Sequence, residues 1–366
     1  MEHKNTMDTY IKESKEALEK MLLRPQETAK ELEDLYLAQE RRKIKIIASG
    51  SSYHAALCAR YYMEEILGTE VEVETPFSFV HYGRTGDAFH FVISQSGRST
   101  NALEALDILR KKGEIAIGIT GDTKSVYREH CDRVLDYGVG EETVGYVTKG
   151  VVTLTLYLDL FALGAALRQN RITPETYDAE LVKLRGIAAS YPVVYDQAQA
   201  FIDDNFSLLT SMHQAYVLGS HTAYGIAAEA ALKIGETICI PASAHESEEF
   251  LHGPNLQLTP TYTVFIIDAH DTTSARSRQI YEAVSAVCER CFYIGLATEE
   301  PAAADGPADG RKLLIAQDVD HNLLPFVYLQ VFQLISYRVT ESLHRWEKHP
   351  VLGRFREKIQ YKAKEE

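Results

Sequence analysis

An α/β protein of two tandem units, each a doubly wound parallel sheet flanked by helices, is the fold this sequence predicts. Three observations carry the prediction. Short apolar runs alternate with amphipathic or Ala-rich segments, the same plan begins again midway along the chain, and 366 residues suit two domains better than one. In order, residues 7–43 read as helical and charged, and a strand is expected at 46–49, a helix at 54–67 and a strand at 70–74. Phe91-Val92-Ile93 ends a buried strand, and 101–109 has the spacing of an amphipathic helix. A strand at 115–120 and a short one at Arg133-Val134-Leu135 complete the first unit, and long helices around 150–169 and 179–203 follow.

The second half repeats the opening of the first. Ile47-Ala48-Ser49-Gly50-Ser51-Ser52 and Val217-Leu218-Gly219-Ser220-His221 are each an apolar run, a glycine and small polar residues before an Ala-rich helix. Thr263-Val264-Phe265-Ile266-Ile267-Asp268 then stands where Phe91-Val92-Ile93 stood. The expected organisation is an N-terminal helical segment (1–34), a first domain (35–185), a second domain (205–340) and a C-terminal tail (341–366), with a surface loop over 300–311.

Composition narrows the function. A net charge of −14 argues against a nucleic-acid or anionic-membrane partner, because either requires a basic face. No apolar run reads as long enough to span a bilayer, and the polar start lacks a signal-peptide core, so a cytoplasmic protein is expected. The five cysteines read as reduced, mostly buried thiols; Cys288 and Cys291 have CxxC spacing inside a helical pattern with no second pair, so no metal is assigned.

The turn Ser94-Gln95-Ser96-Gly97-Arg98-Ser99-Thr100 joins the strand ending at Ile93 to the next helix. Hydroxyls and free backbone N–H groups at a positive helix end suit a phosphate, although the same residues could serve only as helix caps. Neither a Gly-Lys-Ser/Thr nor a GxGxxG accompanies the turn, so a small phosphorylated molecule fits better than a nucleotide. The second copy carries Asp268-Ala269-His270-Asp271 at this place, an acidic pair that makes a poor phosphate cradle; one phosphate site per chain is expected. Further on, Glu229, Lys233 and Glu236 share one face of an apolar helix at i, i+4 and i+7, either as an exposed ion pair or as a chemical group. Acids and histidines crowd the segment from His245 to His252, which Gly253-Pro254 closes in a way that should hold the His252 imidazole in place.

The motifs SGSSYH (49–54), ISQSGRST (93–100), AEAALKIGE (228–236) and EEFLHGP (248–254) resemble, in order, the signatures of tandem SIS, or sugar isomerase, domain proteins. The isomerase half of glucosamine-6-phosphate synthase is one such protein. The resemblance runs over roughly 35–361 and implies two SIS-like domains. It implies that Ser94, Gln95, Ser96 and Ser99 hold a sugar phosphate, with Gly50 and Ser52 lining the pocket. It makes Glu236 the base that moves a proton on the open-chain sugar, His252 an acid/base, and Glu229 and Lys233 the support of Glu236. The synthase's glutaminase cysteine has no counterpart, Glu2 standing there, so ammonia from glutamine is not expected as a reagent. Where the synthases have a valine-alanine-serine turn this chain has Gly145-Tyr146-Val147-Thr148-Lys149.

The tail selects the subfamily. His349-Pro350, Arg354, Lys358 and Tyr361 resemble the tail of fructosamine-6-phosphate deglycases, with Arg354 and Lys358 as substrate contacts; a basic helix packing on a dimer mate is the alternative. The implied reaction releases glucose 6-phosphate and an amino acid without metal or cofactor. An aldose–ketose isomerase or sugar-amine deaminase and a non-catalytic sugar-phosphate sensor are the other readings. The family also implies a homodimer with shared active sites. Arg98, Tyr146, His221 and His245 are candidates to select the amine, with packing roles equally open.

Overall fold

The computed structural model describes residues 6–40, 43–140, 142–297 and 310–363. The chain forms two compact units, Glu16–Val182 with Glu347–Glu366, and Met1–Lys15 with Lys183–Trp346. The helical stretch expected over 7–43 is three helices, α1 (Met7–Leu23), α2 (Pro25–Thr28) and α3 (Lys30–Leu37). Pro25 lacks an N–H and cannot continue α1, so a new helix starts there. By Lys43 the chain is already strand, and 41–42 lie outside the described residues.

The first unit then runs β1 (Lys43–Ile47), α4 (Ser51–Leu67), β2 (Val71–Glu74), α5 (Pro76–Tyr82), β3 (Ala88–Ile93), α6 (Thr100–Lys111), β4 (Ile117–Thr120), α7 (Tyr127–His130), β5 (Arg133–Asp136) and α8 (Lys149–Arg168), with the start of α9 (Pro174–Asp204), whose residues from Lys183 on belong to the second unit. Its five strands are parallel in the order β2-β1-β3-β4-β5. Every residue of β3 is buried because both sheet faces are covered. Phe89 and Phe91 meet Tyr36 and Phe161 on one face, while Ile47 and Val92 pack with Leu103, Leu106 and Tyr127 on the other.

α8 corrects one sequence expectation. It is long and apolar enough to cross a membrane, yet almost all of it is buried inside the protein, as a core helix is. Its Asp159 is fully buried, and among the described residues neither carboxylate oxygen has a hydrogen-bond partner. Burial, with the Glu180 charge second, pushes this carboxyl well above its ordinary value. A raised folded pKa means that stability is greatest below the unfolded pKa of about 3.9 and falls as pH rises, by about 1.4 kcal/mol per pH unit until Asp159 ionises within the fold. Asp159→Asn should therefore gain stability over wild type between pH 4 and pH 8 in paired denaturant melts; a difference that stays flat with pH would show that Asp159 is ionised in the fold.

The second unit contains α10 (Phe206–Thr210), β6 (Ala215–Leu218), α11 (Thr222–Lys233), β7 (Ala242–His245), β8 (Thr263–Ile267), α12 (Ser274–Ser285), β9 (Arg290–Leu296), β10 (Lys312–Ile315) and α13 (Pro325–Ser342). The strands are parallel in the order β10-β9-β8-β6-β7. Taken in chain order that is the first sheet's topology again, so the duplication is real. The residue alignment is shifted, however. Gly50, at φ +56° and ψ −137°, has its conformational counterpart in His221, at φ +54° and ψ −131°, two residues beyond Gly219. Each precedes the first residue of its helix. A non-glycine residue in that region is strained by about 1–3 kcal/mol. Gly219 is needed for a different reason, since a Cβ there would lie 2.4 Å from the Ala223 carbonyl oxygen.

Two further expectations change. Cys288 and Cys291 are not in one helix: Cys288 follows α12 and Cys291 lies in β9, both buried in the cluster of Tyr216, Tyr262, Val264 and Val284. Among the described residues no group of three or more His, Cys, Asp or Glu is placed to hold a metal. Most of the loop expected over 300–311 lies outside the described residues. The tail helix α14 (Leu352–Lys358) belongs to the first unit.

Candidate active site

In the first unit β1 and β3 are neighbours whose chains leave in opposite directions, to β2 and to β4, which creates the switch point where ligands of such sheets sit. The loops after both strands carry the candidate phosphate residues. Ser94 is buried; its N–H donates to the Ile119 carbonyl at 3.0 Å, which extends the strand pairing into the turn. Gly97 takes φ +59°, and a Cβ there would fall 2.0 Å from Ser125 Oγ, so only glycine closes this turn.

Ser99 stands at the N-cap of α6, but its hydroxyl makes no capping hydrogen bond. It accepts instead from Ser94 Oγ at 3.3 Å. That argues against the turn serving merely as a cap. Asn101 Nδ2 reaches Ser49 Oγ at 3.5 Å and ties the Gly50 loop to the same helix end, and Ser52 is buried in the first turn of α4. The Gln95 side-chain amide donates through Nε2 to Glu142 Oε2 at 2.7 Å, while the Gln95 backbone carbonyl accepts from Gly121 N at 3.0 Å and Thr120 Oγ1 at 3.1 Å. Arg98 pairs with Asp122 at 3.7 Å.

The tail meets this turn through its backbone. Lys362 bridges Ser99 in antiparallel fashion, Thr100 N donates to the Tyr361 carbonyl at 3.2 Å, and Ala363 N donates to the Arg98 carbonyl at 2.8 Å. Lys348 Nζ lies 5.0 Å from the Tyr146 ring centroid. Arg354 and Lys358 are exposed, and no described hydrogen bond or ion pair joins their side chains to the turn. Residues 361–363 make that contact instead.

In the second unit the Glu229–Lys233–Glu236 spacing is a contact, not an exposed stripe. Lys233 Nζ pairs with Glu229 Oε1 at 3.1 Å and with Glu236 Oε1. The Lys233 and Glu229 side chains are 1% exposed, and that of Glu236 is 30% exposed. Burial pulls the Lys233 ammonium down, but the two carboxylates outweigh it and hold its pKa above the usual lysine value. After Lys233 the helix continues as a π-turn, Ile234–Ile238, with Glu236 at its centre. Such widened turns recur at functional sites. Arg345 Nη1 donates to the Ile238 carbonyl at 2.7 Å and Thr237 Oγ1 to the Lys233 carbonyl at 2.8 Å, fixing the turn.

His245 ends β7, and burial lowers its pKa despite Glu249. The Glu246 carboxylate accepts from Ser220 Oγ at 2.5 Å and from the N–H groups of Glu248 and Glu249 at 2.8 and 3.0 Å. Burial raises its pKa, yet those donors outweigh burial and hold it below the ordinary range. His252 closes the 3₁₀ turn Glu249–His252, followed by Gly253 at φ +145°. The backbone is constrained as expected, but the imidazole is exposed, and no described hydrogen bond or ion pair joins it to Glu229, Lys233 or Glu236. Tyr361 was singled out as part of the tail pattern; Glu142, Asn101, Lys362 and Ala363 were not, and none of these four belongs to a motif.

A family model for the SIS domain matches residues 36–163 and 208–340. The chain belongs to the SIS domain family. Curated relatives of this SIS protein include glutamine–fructose-6-phosphate aminotransferase [isomerizing] of Haemophilus influenzae, 26% identical over 81% of the chain and 48% of the relative, and that of Aeropyrum pernix, 27% identical over 81% and 48%. The SIS chain thus spans about half the length of the curated relatives it matches. Among solved structures, a putative phosphosugar isomerase from Clostridium difficile superposes with a TM-score of 0.86 at 25% identity, covering 98% of this chain and 99% of that one. The C-terminal domain of glucosamine-fructose-6-phosphate aminotransferase from Francisella tularensis shares the fold, with a TM-score of 0.82 at 22% identity over 95% and 99% of the chains.

Proposed function

We propose that this SIS protein is an enzyme acting on amino-sugar 6-phosphates, specifically a fructosamine-6-phosphate deglycase. The observation that carries proton-transfer chemistry is the Glu229–Lys233–Glu236 group. A fully buried ammonium faces one buried carboxylate and one that reaches solvent, which is how a base is kept ionised and aimed. The hydroxyls of Ser94, Ser96 and Ser99 would bind the phosphate, with Gln95 beside them and Gly50 and Ser52 lining the site.

In this reading Glu236 removes a proton from carbon 1 of the open-chain ketoamine, and the electron pair passes into an enolamine. Returning the proton to carbon 2 leaves an imine at carbon 1. Water adds to that carbon, His252 protonates the nitrogen, and the C–N bond breaks to give glucose 6-phosphate and a free amino acid. The HP…R…K…Y tail supports this choice of reaction. The structural neighbour named as a putative phosphosugar isomerase favours a second reading, in which the same proton shuttle interconverts ketose and aldose without amine release. A homodimer in the cytoplasm suits either reading.

A coupled assay for glucose 6-phosphate across a panel of fructosamine 6-phosphates tests the choice. Product from at least one panel member is expected. Silence across the panel together with ketose–aldose interconversion of a hexose 6-phosphate would replace the deglycase by the isomerase.

A further inference from the structure

We propose that Glu142 is a positioning residue that turns the Gln95 side chain away from the phosphate and makes it a reader of the sugar. Glu142 lies in the connector between β5 and α8. Its Oε1 accepts from Thr148 N at 2.6 Å and Lys149 N at 2.9 Å, and its Oε2 from Gly150 N at 3.2 Å and Gln95 Nε2 at 2.7 Å. All four partners are donors. A protonated carboxyl would set its hydrogen against one of them, so the ionised form is the one this arrangement accommodates.

Two consequences follow from the chemistry of the groups. First, the carboxylate occupies the backbone donors at the start of α8 and supplies the negative charge its positive end favours. That helix end no longer competes for an anion, which leaves the turn before α6 as the phosphate cradle. Second, the Gln95 amide is fixed end for end. Its nitrogen must face Glu142, so its oxygen is the end left for the ligand side. A phosphate dianion is acceptor-only and would be repelled by that oxygen, whereas a sugar hydroxyl or substrate amine can donate to it.

Gly150 supplies the room for this arrangement. A Cβ there would lie 2.6 Å from Gln95 Nε2 and 3.0 Å from Glu142 Oε2, so any larger residue displaces the amide. The inference rests on the sugar-phosphate reading above and assigns one of its contacts.

Calorimetric titration of the full chain with fructose 6-phosphate and with inorganic phosphate separates the two roles. Gln95→Met keeps the side chain's length and removes its polar end; it should weaken fructose 6-phosphate about tenfold and inorganic phosphate less than about twofold, as the loss of one sugar hydrogen bond predicts. Glu142→Gln should show the same selective loss, and the double variant should bind no worse than either single one, because both disturb one arrangement. Gly150→Ala guards against misfolding in Glu142→Gln, since it keeps the carboxylate and crowds the amide hardest, at 2.6 Å from Nε2 against 3.0 Å from Glu142 Oε2; the same selective loss is expected. Equal weakening of both ligands would make Gln95 a phosphate ligand and overturn the proposal. Additive losses in the double variant, or unchanged sugar affinity in Gly150→Ala, would remove Glu142 from the positioning role. A wild type that binds no hexose phosphate brings down the functional reading itself, a result distinct from either of these.

Discussion

Glu236→Gln is expected to lower turnover by about 10²–10⁴-fold, the usual worth of a positioned general base, while hexose-phosphate affinity stays within about twofold, because the residues proposed to bind the phosphate belong to the other unit. The substitution keeps size and leaves an amide oxygen to accept from Lys233, so the π-turn and the buried ion pair with Glu229 survive it. Only the capacity to take a proton from carbon is lost. The measurement is glucose 6-phosphate release at saturating substrate beside a titration of binding. A variant that turns over at the wild-type rate would remove Glu236 from the base role. A variant that loses binding and turnover together would make Glu236 a substrate ligand instead.

What the sequence disclosed here was local, and what it hid was paired at a distance. The Ser94–Ser99 turn and the Glu229–Lys233–Glu236 spacing lie within one or two turns of chain, so period and residue type sufficed to single them out. The shift of the internal repeat was hidden because a glycine marks only one kind of backbone need. Gly219 answers a close approach by Ala223, whereas the positive φ falls to His221, a residue that sterics disfavour there. Strand β7 was hidden because Ala242-Ser243-Ala244-His245 has little apolar signal of its own; it is a strand because β6 supplies its hydrogen bonds. The break between Cys288 and Cys291 was masked by an apolar run that reads equally as helix or strand. Glu142, Lys362 and Ala363 reach the Ser94–Ser99 turn across long stretches of chain, and no spacing rule connects them.

Lys233→Met should destabilise the second unit by about 3–5 kcal/mol, the cost of leaving a buried charge without its partner. Glu229 is as buried as the lysine and pairs with it at 3.1 Å; without the ammonium its carboxylate stays in an apolar helix among Ala227, Ala230 and Ala231. For a domain of this size the melting transition should fall by about 10 °C. The sign with pH is fixed by the raised lysine pKa. The wild-type pair's contribution is complete at neutral pH and is lost only as alkali passes the folded pKa. Removing both partners separates burial from pairing. Glu229→Leu with Lys233→Met replaces two charges by apolar side chains and should recover most of the stability. Activity should not return with it, because Glu236 would still lack the cation that holds it in place. Melting of Lys233→Met at the wild-type temperature would show that Glu229 carries no unpaired buried charge and would remove the physical basis for reading the three residues as one group.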